Sequence, residues 1–352
     1  MHIVVLPGDG IGPEITGATL AVLEAAGNRF GLNLNLTHEV AGHESLRRHG
    51  TTLRPGLLET VQAADGLLMG PMSTYDYTDE SKGGINPSAF FRKRLDLFAN
   101  IRPARTYPGV PYPTRHEFDL VVVRENTEGF YADRNMTKGS AEMLVTEDVC
   151  VSLRRITRPC CARIAQAAFR LAATRRRKVT AVHKANVLTM GDGMFLEECR
   201  KAAADFPGVE LEEVIVDAMA ALLIRDPSRF DVIVTTNMFG DILSDMTAEL
   251  SGSIGLGGSV NAGANHAMAQ AAHGSAPDIA GQDRANPFSL ILSLAQLLDW
   301  HGDRQGQAAY TQAARAIEAA VAEAVSAGEA TPDVGGSLGT AATGQAVAKR
   351  LR

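Results

Sequence analysis

The chain has 352 residues, of which 45% are apolar and 21% charged, and this balance is typical of a globular protein long enough for two domains. A formal net charge of −6 argues against a nucleic-acid partner, because nucleic-acid-binding surfaces are basic. The four cysteines form no CxxC pair, and no apolar run approaches the roughly 18 residues of a membrane span, so we expect a cytoplasmic protein with no disulfide framework, zinc site or membrane partner.

Strands and helices alternate along the chain. Six short apolar segments predict buried strands, at residues 2–6, 66–69, 120–123, 179–182, 211–216 and 232–235. The clearest predicted helices are one that follows the first strand and ends near residue 26, one at 163–174 and one at 307–327. The glycine-rich stretch 252–263 is predicted to be a loop. This alternation predicts an α/β fold with a mostly parallel core sheet.

The first strand is followed by a glycine loop, Gly8-x-Gly10-x-Gly12. Its spacing differs from the G-x-G-x-x-G dinucleotide fingerprint. Two interpretations stay open, a tight turn beside a ligand and an ordinary turn between strand and helix.

Three arginines and two proton-transfer candidates come next. Arg92 and Arg102 flank residues 95–100, and Arg124 follows the strand 120–123. A polyanionic acid would need such guanidinium partners, although a single arginine more often forms a surface ion pair. Tyr131 lies seven residues after Arg124, and Lys184 ends another strand. Either side chain can transfer protons when it is suitably placed, but a lone lysine or tyrosine normally does not.

Three aspartates follow strand ends. Asp241 and Asp245 are four residues apart, so they share one helix face, and Asp217 follows the strand 211–216. Carboxylates brought together repel one another, and a hard cation such as Mg²⁺ or Mn²⁺ resolves that repulsion. Helix capping by Asp241 and Asp217 explains the same pattern equally well.

Seven ordered blocks that run nearly end to end resemble the isocitrate/3-isopropylmalate dehydrogenase family of NAD-dependent β-decarboxylating dehydrogenases. They are LPGDGIGPEI at 6–15, FRKRLDLFANIRPAR at 91–105, VVVRENTEGFYADRN at 121–135, VHKANVL at 182–188, VDAMAALLIRDPSRFDVIVTTNMFGDILSD at 216–245, HGSAPDIAGQDRANP at 273–287 and TPDVGG at 331–336.

The resemblance implies a two-domain fold around a central cleft, in a homodimer with shared active sites. We place a discontinuous cofactor-side domain at 1–97 and 246–352. The inner domain, with the dimer interface and the metal and substrate residues, is placed at 98–245. Oxidation of a 2-hydroxy acid by NAD, with loss of CO₂, is the implied reaction.

The resemblance also implies residue roles. Tyr131 and Lys184 would be catalytic, and Arg92, Arg102 and Arg124 would hold the carboxylates of the acid. Asp217, Asp241 and Asp245 would bind Mg²⁺ or Mn²⁺, with Lys184 and Asp217 reaching the partner subunit's site. The cofactor would meet eight residues: Ile11, His273, Gly274, Ser275, Ala276, Asp278, Ile279 and Asn286.

The cofactor choice depends on Asp278 and Ile279, where NADP-using relatives carry Lys-Tyr. A carboxylate at this position accepts hydrogen bonds from the adenosine ribose and repels a 2′-phosphate, so we expect NAD.

Two departures from the family pattern bear on the substrate. Gln270-Ala271-Ala272 replaces the usual Glu-Pro-Val, so a carboxylate expected on the cofactor side is lost. Ser88 and Ala89 stand where isopropylmalate enzymes have a Leu-Leu pair, and with Asn86 they predict a polar substrate pocket.

A polar pocket favours an isocitrate-like acid over isopropylmalate. Homoisocitrate, tartrate and D-malate remain alternatives, although Ala89 lacks the arginine expected of a homoisocitrate enzyme. A non-catalytic regulatory subunit is the alternative from another class, and a metal-dependent hydrolase is a third.

Overall fold

The computed structural model describes residues 1–77, 79–131, 136 and 141–352. The strands are β1 (His2–Leu6), β2 (Asn35–His38), β3 (Gly66–Met69), β4 (Ala99–Arg105), β5 (Asp119–Glu125), β6 (Glu142–Thr146), β7 (Val149–Ser152), β8 (Lys178–His183), β9 (Glu210–Ile215), β10 (Val232–Thr235), β11 (Val260–Ala262) and β12 (Ala267–Gln270).

The helices are α1 (Gly12–Phe30), α2 (His43–His49), α3 (Leu57–Gln62), α4 (Pro87–Arg94), α5 (Arg158–Ala173), α6 (Gly191–Asp205), α7 (Val216–Arg225), α8 (Asn237–Leu250), α9 (Phe288–Gln305), α10 (Ala308–Ser326) and α11 (Thr340–Arg350). Among the described residues, none of these helices has the length and apolarity needed to cross a membrane.

Ten of the described strands form one sheet in the order β2-β1-β3-β12-β11-β4-β5-β10-β8-β9. Its two flanks are parallel, whereas β11 runs antiparallel to both of its neighbours and β4 runs antiparallel to β5. The predicted α/β fold with a mostly parallel core sheet is confirmed. The strands β6 and β7 form a separate, fully exposed hairpin.

All six strands predicted from apolar runs are present, within one or two residues of their predicted ends. The loop predicted at 252–263 is wrong in part, because β11 lies within it. Strand β4 was not among the predicted strands, since Arg102, Pro103 and Arg105 interrupt any apolar pattern. Pairing with β5 and β11 supplies the stabilisation that its own sequence does not indicate.

The buried apolar side chains form separate clusters that draw on different parts of the chain. One core combines residues from both ends, such as Ile3 and Ile15 with Phe288 and Val347. Another combines residues from the middle, such as Phe169 and Phe195, with the inner strands. The domain boundaries near residues 97 and 246 remain a prediction.

Candidate active site

Arg124 lies at the end of β5, beneath helix α8, and is only 1% exposed. Its guanidinium pairs with the Asp241 carboxylate and donates to the side-chain oxygen of Asn237 from Nε at 3.0 Å and from Nη2 at 2.7 Å. A Cβ at Gly240 would overlap the Arg124 side chain, so a glycine is needed where α8 crosses it. The buried cation is therefore paired and held in one orientation.

Arg102 extends from β4 toward the same helix. Its Nη1 donates to Asp245 at 2.7 Å and to Ser244 at 2.8 Å, and its Nη2 lies 3.7 Å from Asp241. Because Asp241 and Asp245 are one helical turn apart on α8, a single guanidinium reaches both carboxylates.

Tyr131 completes this group. Its hydroxyl donates to Asp241 Oδ2 at 3.0 Å, and the Arg124 guanidinium lies 5.6 Å from the centre of its ring. We call Arg92, Arg102, Arg124, Tyr131, Asp241 and Asp245 the arginine–aspartate cluster. The VVVRENTEGFYADRN block that carries Arg124 and Tyr131 ends in residues 132–135, which lie outside the described residues.

The two aspartates of the cluster differ in electrostatics. Burial opposes ionisation of Asp241, but the charges of Arg124 and Arg102 outweigh it, so the pKa of Asp241 is lowered. The charge of Arg92 contributes in the same direction, which places that arginine in the field of the cluster. Burial raises the pKa of Asp245, and the charge of Asp241 adds to that effect. Two adjacent carboxylates of this kind are stabilised together by a cation.

Lys184 and Asp217 form a second group. The lysine Nζ donates to the Asp217 carboxylate at 2.6 Å, and this contact lowers the pKa of Asp217. The backbone N–H of Lys184 donates to buried Asp192 at 2.6 Å, which fixes the chain where β8 ends. Asp217 lies in the first turn of α7, with its side chain largely exposed.

The three predicted metal ligands do not converge within one chain. Among the described residues, no three Asp, Glu, His or Cys side chains are close enough together to hold a metal ion. Asp241 and Asp245 alone offer carboxylate oxygens on one helix face, a donor type that fits Mg²⁺ or Mn²⁺. Helix capping does not account for Asp241, because α8 begins at Asn237.

Helix α4 carries the predicted specificity residues. Asn86 caps this helix by accepting a hydrogen bond from the Ala89 N–H at 3.2 Å. Ser88 and Arg92 are one turn apart, and both contact Gln270 at the end of β12, at 2.8 Å and 3.3 Å respectively. Gln270 is the first of the three residues that replace the usual Glu-Pro-Val. The sequence predicts this departure on the cofactor side, yet the Gln270 side chain contacts helix α4, which carries the predicted specificity residues.

Six of the eight predicted cofactor residues line one cavity of about 390 Å³: Ile11, His273, Gly274, Ala276, Ile279 and Asn286. Ser275 lies beside it, with its carbonyl accepting from the Ile11 N–H at 2.9 Å. Asp278 is exposed and is not among the lining residues. Burial lowers the pKa of His273, which favours a neutral ring in the cavity wall.

The glycine loop contributes Ile11 to this wall and packs against Ser275 through Gly10. Gly8 and Gly10 have positive φ angles of 81° and 56°, and a Cβ at Gly10 would overlap the Ser275 carbonyl. Between them, buried Asp9 accepts from the backbone N–H groups of His43 and Ser73 at 2.9 and 3.0 Å. The loop is therefore a tight turn that is held against the predicted cofactor segment and leads directly into α1, so both interpretations stay open.

Several residues of these sites were not singled out in the sequence. Asn237, which orients Arg124, directly follows the N-cap of α8. Asp333 accepts from Asn286 at 2.9 Å and from Ser253 at 3.0 Å in the cavity wall. Both residues lie in sequence blocks that carry the family resemblance, so those blocks could have identified them, although no role was assigned to either residue. Ser253, Ile254 and Gly255 lie in the stretch predicted only as a loop.

Comparisons with known proteins show the family of the chain and its fold. The family model described as isocitrate/isopropylmalate dehydrogenase matches residues 2–349. The isocitrate/homoisocitrate dehydrogenase of Thermus thermophilus is 40% identical over 352 residues, which cover 100% of this chain and 98% of that protein. The 3-isopropylmalate dehydrogenase of Methanothermobacter thermautotrophicus is 42% identical over 354 residues, which cover 100% and 98%. The crystal structure of isocitrate dehydrogenase from Methylococcus capsulatus superposes with a TM-score of 0.87 at 38% identity, covering 100% of this chain and 99% of that one.

Proposed function

The chain belongs to the isocitrate/isopropylmalate dehydrogenase family, and from this premise we propose that it catalyses the NAD-dependent oxidative decarboxylation of a malate-type 2-hydroxy acid. The observation that carries the proposal is the arginine–aspartate cluster. Arg102 and Arg124 are anchored on neighbouring strands and converge on Asp241, where Tyr131 also donates. Guanidinium groups held in this way suit the carboxylates of a di- or tricarboxylic acid.

The proposed binding mode has two parts. Arg92, Arg102 and Arg124 hold the carboxylates of the acid, and Asp241 with Asp245 supplies oxygen ligands to Mg²⁺ or Mn²⁺. When bound, the divalent cation would make the C2 hydroxyl more acidic and stabilise negative charge on the substrate, and NAD would serve as the hydride acceptor.

Two side chains handle the protons in this proposal. Lys184 removes the proton of the C2 hydroxyl. Tyr131 holds its hydroxyl proton beside the cluster through its 3.0 Å hydrogen bond to Asp241. It delivers a proton to the substrate carbon after CO₂ has left.

We propose that Lys184 and Asp217 act in the site of a second copy of the chain, in a homodimer with shared active sites. Large apolar side chains near the site residues are exposed, namely Val187 at 66%, Met190 at 87%, Ile224 at 63% and Ile242 at 60%. The hairpin of β6 and β7 adds Leu144 at 71% exposure. Exposed apolar side chains are typical of an interface, and Val187, Ile224 and Ile242 lie close in sequence to Lys184, Asp217 and Asp241, which supports a shared site.

Substrate preference follows from the specificity helix. Ser88 and Gln270 make the wall beside Arg92 polar, which supports an isocitrate-like acid over an acid with an isopropyl group. Homoisocitrate, tartrate and D-malate remain alternatives. A regulatory subunit is not favoured, because Tyr131, Lys184 and the three aspartates are all present.

The decisive experiment mixes the purified protein with NAD⁺, Mn²⁺ and each acid in turn and follows NADH absorbance. The panel contains isocitrate, homoisocitrate, 3-isopropylmalate, D-malate and tartrate, with NADP⁺ as the alternative cofactor. We expect NADH with at least one acid and the highest kcat/KM with isocitrate. A folded protein that reduces neither cofactor with any acid would overturn the proposal.

A further inference from the structure

Asp192 is a fully buried carboxylate beside Lys184, and the proposed function gives it no role. It lies in the first turn of α6 and is 0% exposed. Its Oδ2 accepts from the backbone N–H of Lys184 at 2.6 Å, and its Oδ1 accepts from Arg154 Nη2 at 2.7 Å. Burying a carboxylate costs much free energy unless such donors compensate it, so the position of Asp192 depends on these contacts.

Lys184 directly follows the last residue of β8. The Asp192 carboxylate holds its backbone N–H, and its carbonyl accepts from the N–H groups of Val187 and Leu188 at 2.9 and 2.8 Å. The backbone is thus fixed on both sides of the Cα atom, which sets the direction of the Cα–Cβ bond. The four-carbon stem of a lysine is flexible, so a fixed starting point limits the volume that the Nζ atom can reach.

Arg154 in turn holds the Asp192 carboxylate. The arginine side chain is only 12% exposed, and the same Nη2 donates to Thr236 Oγ1 at 3.2 Å. Thr236 is the N-cap of α8, and the guanidinium also lies 6.0 and 5.8 Å from the ring centres of Phe130 and Phe239. An ion pair that several segments hold in this way has a defined geometry, so the carboxylate presents Oδ2 to Lys184 in one orientation.

We propose that Asp192 is a positioning residue for Lys184: together with Arg154 it fixes the point from which the lysine side chain reaches the C2 hydroxyl. This inference rests on the proposed role of Lys184 and deepens it. Asp192 acts through the backbone of Lys184 and not by contact with the acid, because its side chain is completely buried. Its loss should therefore lower turnover and spare the binding of acid and cofactor.

The test is the variant Asp192→Asn, which keeps the shape of the side chain. Both contacts of Asp192 need an acceptor, and an amide has one oxygen, so its NH₂ group must face one of the two donors. We expect kcat to fall at least about tenfold, since misplacing a reacting group by about 1 Å can cost roughly a hundredfold in rate, while the KM values of acid and NAD⁺ stay within about twofold of wild type. An unchanged kcat in the folded variant, or a loss that appears in KM instead, would overturn the inference.

Asp231→Asn is the matched control for the loss of a buried ion pair. Asp231 is 1% exposed and likewise accepts from an arginine and a backbone N–H, those of Arg175 at 2.9 Å and Lys178 at 3.5 Å. It directly precedes β10, whereas Thr236 follows the other end of that strand. The control should lose stability in the same way and keep the wild-type kcat. An equal fall in kcat in both variants would mean that breaking any buried pair lowers turnover, and the inference would not stand.

Mixed dimers distinguish the positioning of Lys184 from damage to the rest of the site. If Lys184 acts in the site of the second copy, Asp192→Asn misplaces only the lysine that its own chain supplies. Mixing this variant with Tyr131→Phe should therefore restore activity, and mixing it with Lys184→Met should not. Recovery with Lys184→Met contradicts the inference, as does no recovery with Tyr131→Phe when Lys184→Met and Tyr131→Phe do recover together. Without shared sites no mixture recovers, and the kcat and KM values of the single variants decide.

A second variant covers the case in which Asp192→Asn does not fold. Asp192→Asn combined with Arg154→Met leaves no buried charge unpaired and should show the same loss of kcat. If the wild-type protein reduces no cofactor with any acid, the proposed function has failed, and crystal structures of the variants test the positioning alone. The Nζ of Lys184, which donates to Asp217 at 2.6 Å, should then leave this partner in Asp192→Asn and keep it in Asp231→Asn. A lysine that stays in place in both variants overturns the inference.

Discussion

The guanidinium of Arg124 and the carboxylate of Asp241 form an ion pair that joins strand β5 to helix α8. Arg124 is almost completely buried, whereas about a third of the Asp241 side chain is exposed. The cation of this pair is therefore buried, whereas its carboxylate is partly accessible at the surface. Arg102 and Tyr131 reach the same carboxylate, so a change at this pair should propagate to both acid and metal binding.

Gly240→Ala should impair acid binding even though it replaces no charged residue. The added Cβ would overlap the Arg124 side chain and displace it from Asn237 and Asp241. We expect KM for the acid to rise at least tenfold in steady-state assays. Gly17→Ala is the matched control, since Gly17 lies in α1 with open space around it. It should stabilise the protein by about 1 kcal/mol and leave KM unchanged. An unaltered KM in Gly240→Ala would mean that the position of Arg124 does not matter for binding.

Asp245→Asn should raise the melting temperature of the metal-free protein slightly. Burial and the charge of Asp241 raise the pKa of Asp245, so the folded state favours its neutral form. A carboxyl with a raised folded-state pKa loses stability as pH rises through that pKa, and the amide avoids this loss. Mn²⁺ should raise the melting temperature of the wild-type protein and not of the variant. A metal-induced shift that survives in Asp245→Asn would exclude Asp245 as a ligand.

The metal affinity of the wild-type protein should fall as the pH is lowered toward the raised pKa of Asp245. Protons then compete with the cation for this carboxylate, whereas the lowered pKa keeps Asp241 ionised. Calorimetry in buffers of different ionisation enthalpy should show proton uptake by the buffer as Mn²⁺ binds at acidic pH. A metal affinity that stays constant across this range contradicts the assignment.

Lys184→Met and Tyr131→Phe should each be nearly inactive, with turnover reduced at least a hundredfold. If the active sites are shared, mixing the two variants under exchange conditions should restore roughly a quarter of wild-type activity, since half of the dimers are mixed and each has one intact site. Size-exclusion chromatography with light scattering checks the assembly. No recovery among confirmed mixed dimers would place both residues of a site in one chain.

Asp278→Lys combined with Ile279→Tyr should shift the cofactor preference toward NADP⁺. Asp278 is exposed, and we expect its carboxylate to repel a 2′-phosphate and a lysine at this position to attract one. The ratio of kcat/KM for the two cofactors measures the shift. Asp303→Lys makes the same charge change at an exposed residue of α9 and should not alter the ratio. Equal ratios in both variants would show that Asp278 does not meet the cofactor.

The sequence by itself determined the class of fold and the types of residue in the site. Apolar runs predict strands because a strand buried on both faces is largely apolar, as in β3, where all four residues of Gly-Leu-Leu-Met are buried. Ordered motif blocks determined the family, and with it Arg102, Arg124, Tyr131 and the aspartates as candidates. Strand β4 was beyond this reasoning, because its stability depends on partners that are distant in sequence.

Only the tertiary structure decided which of these residues meet. It brings Tyr131 to Asp241 across 110 positions and Arg102 to Asp245 across 143, while Asp217 stays with Lys184 in a separate group. It also brings Gln270, which the sequence predicts on the cofactor side, into contact with Ser88 and Arg92. Such relationships depend on how strands and helices pack, and packing combines contacts from the whole chain that no local pattern of residues records.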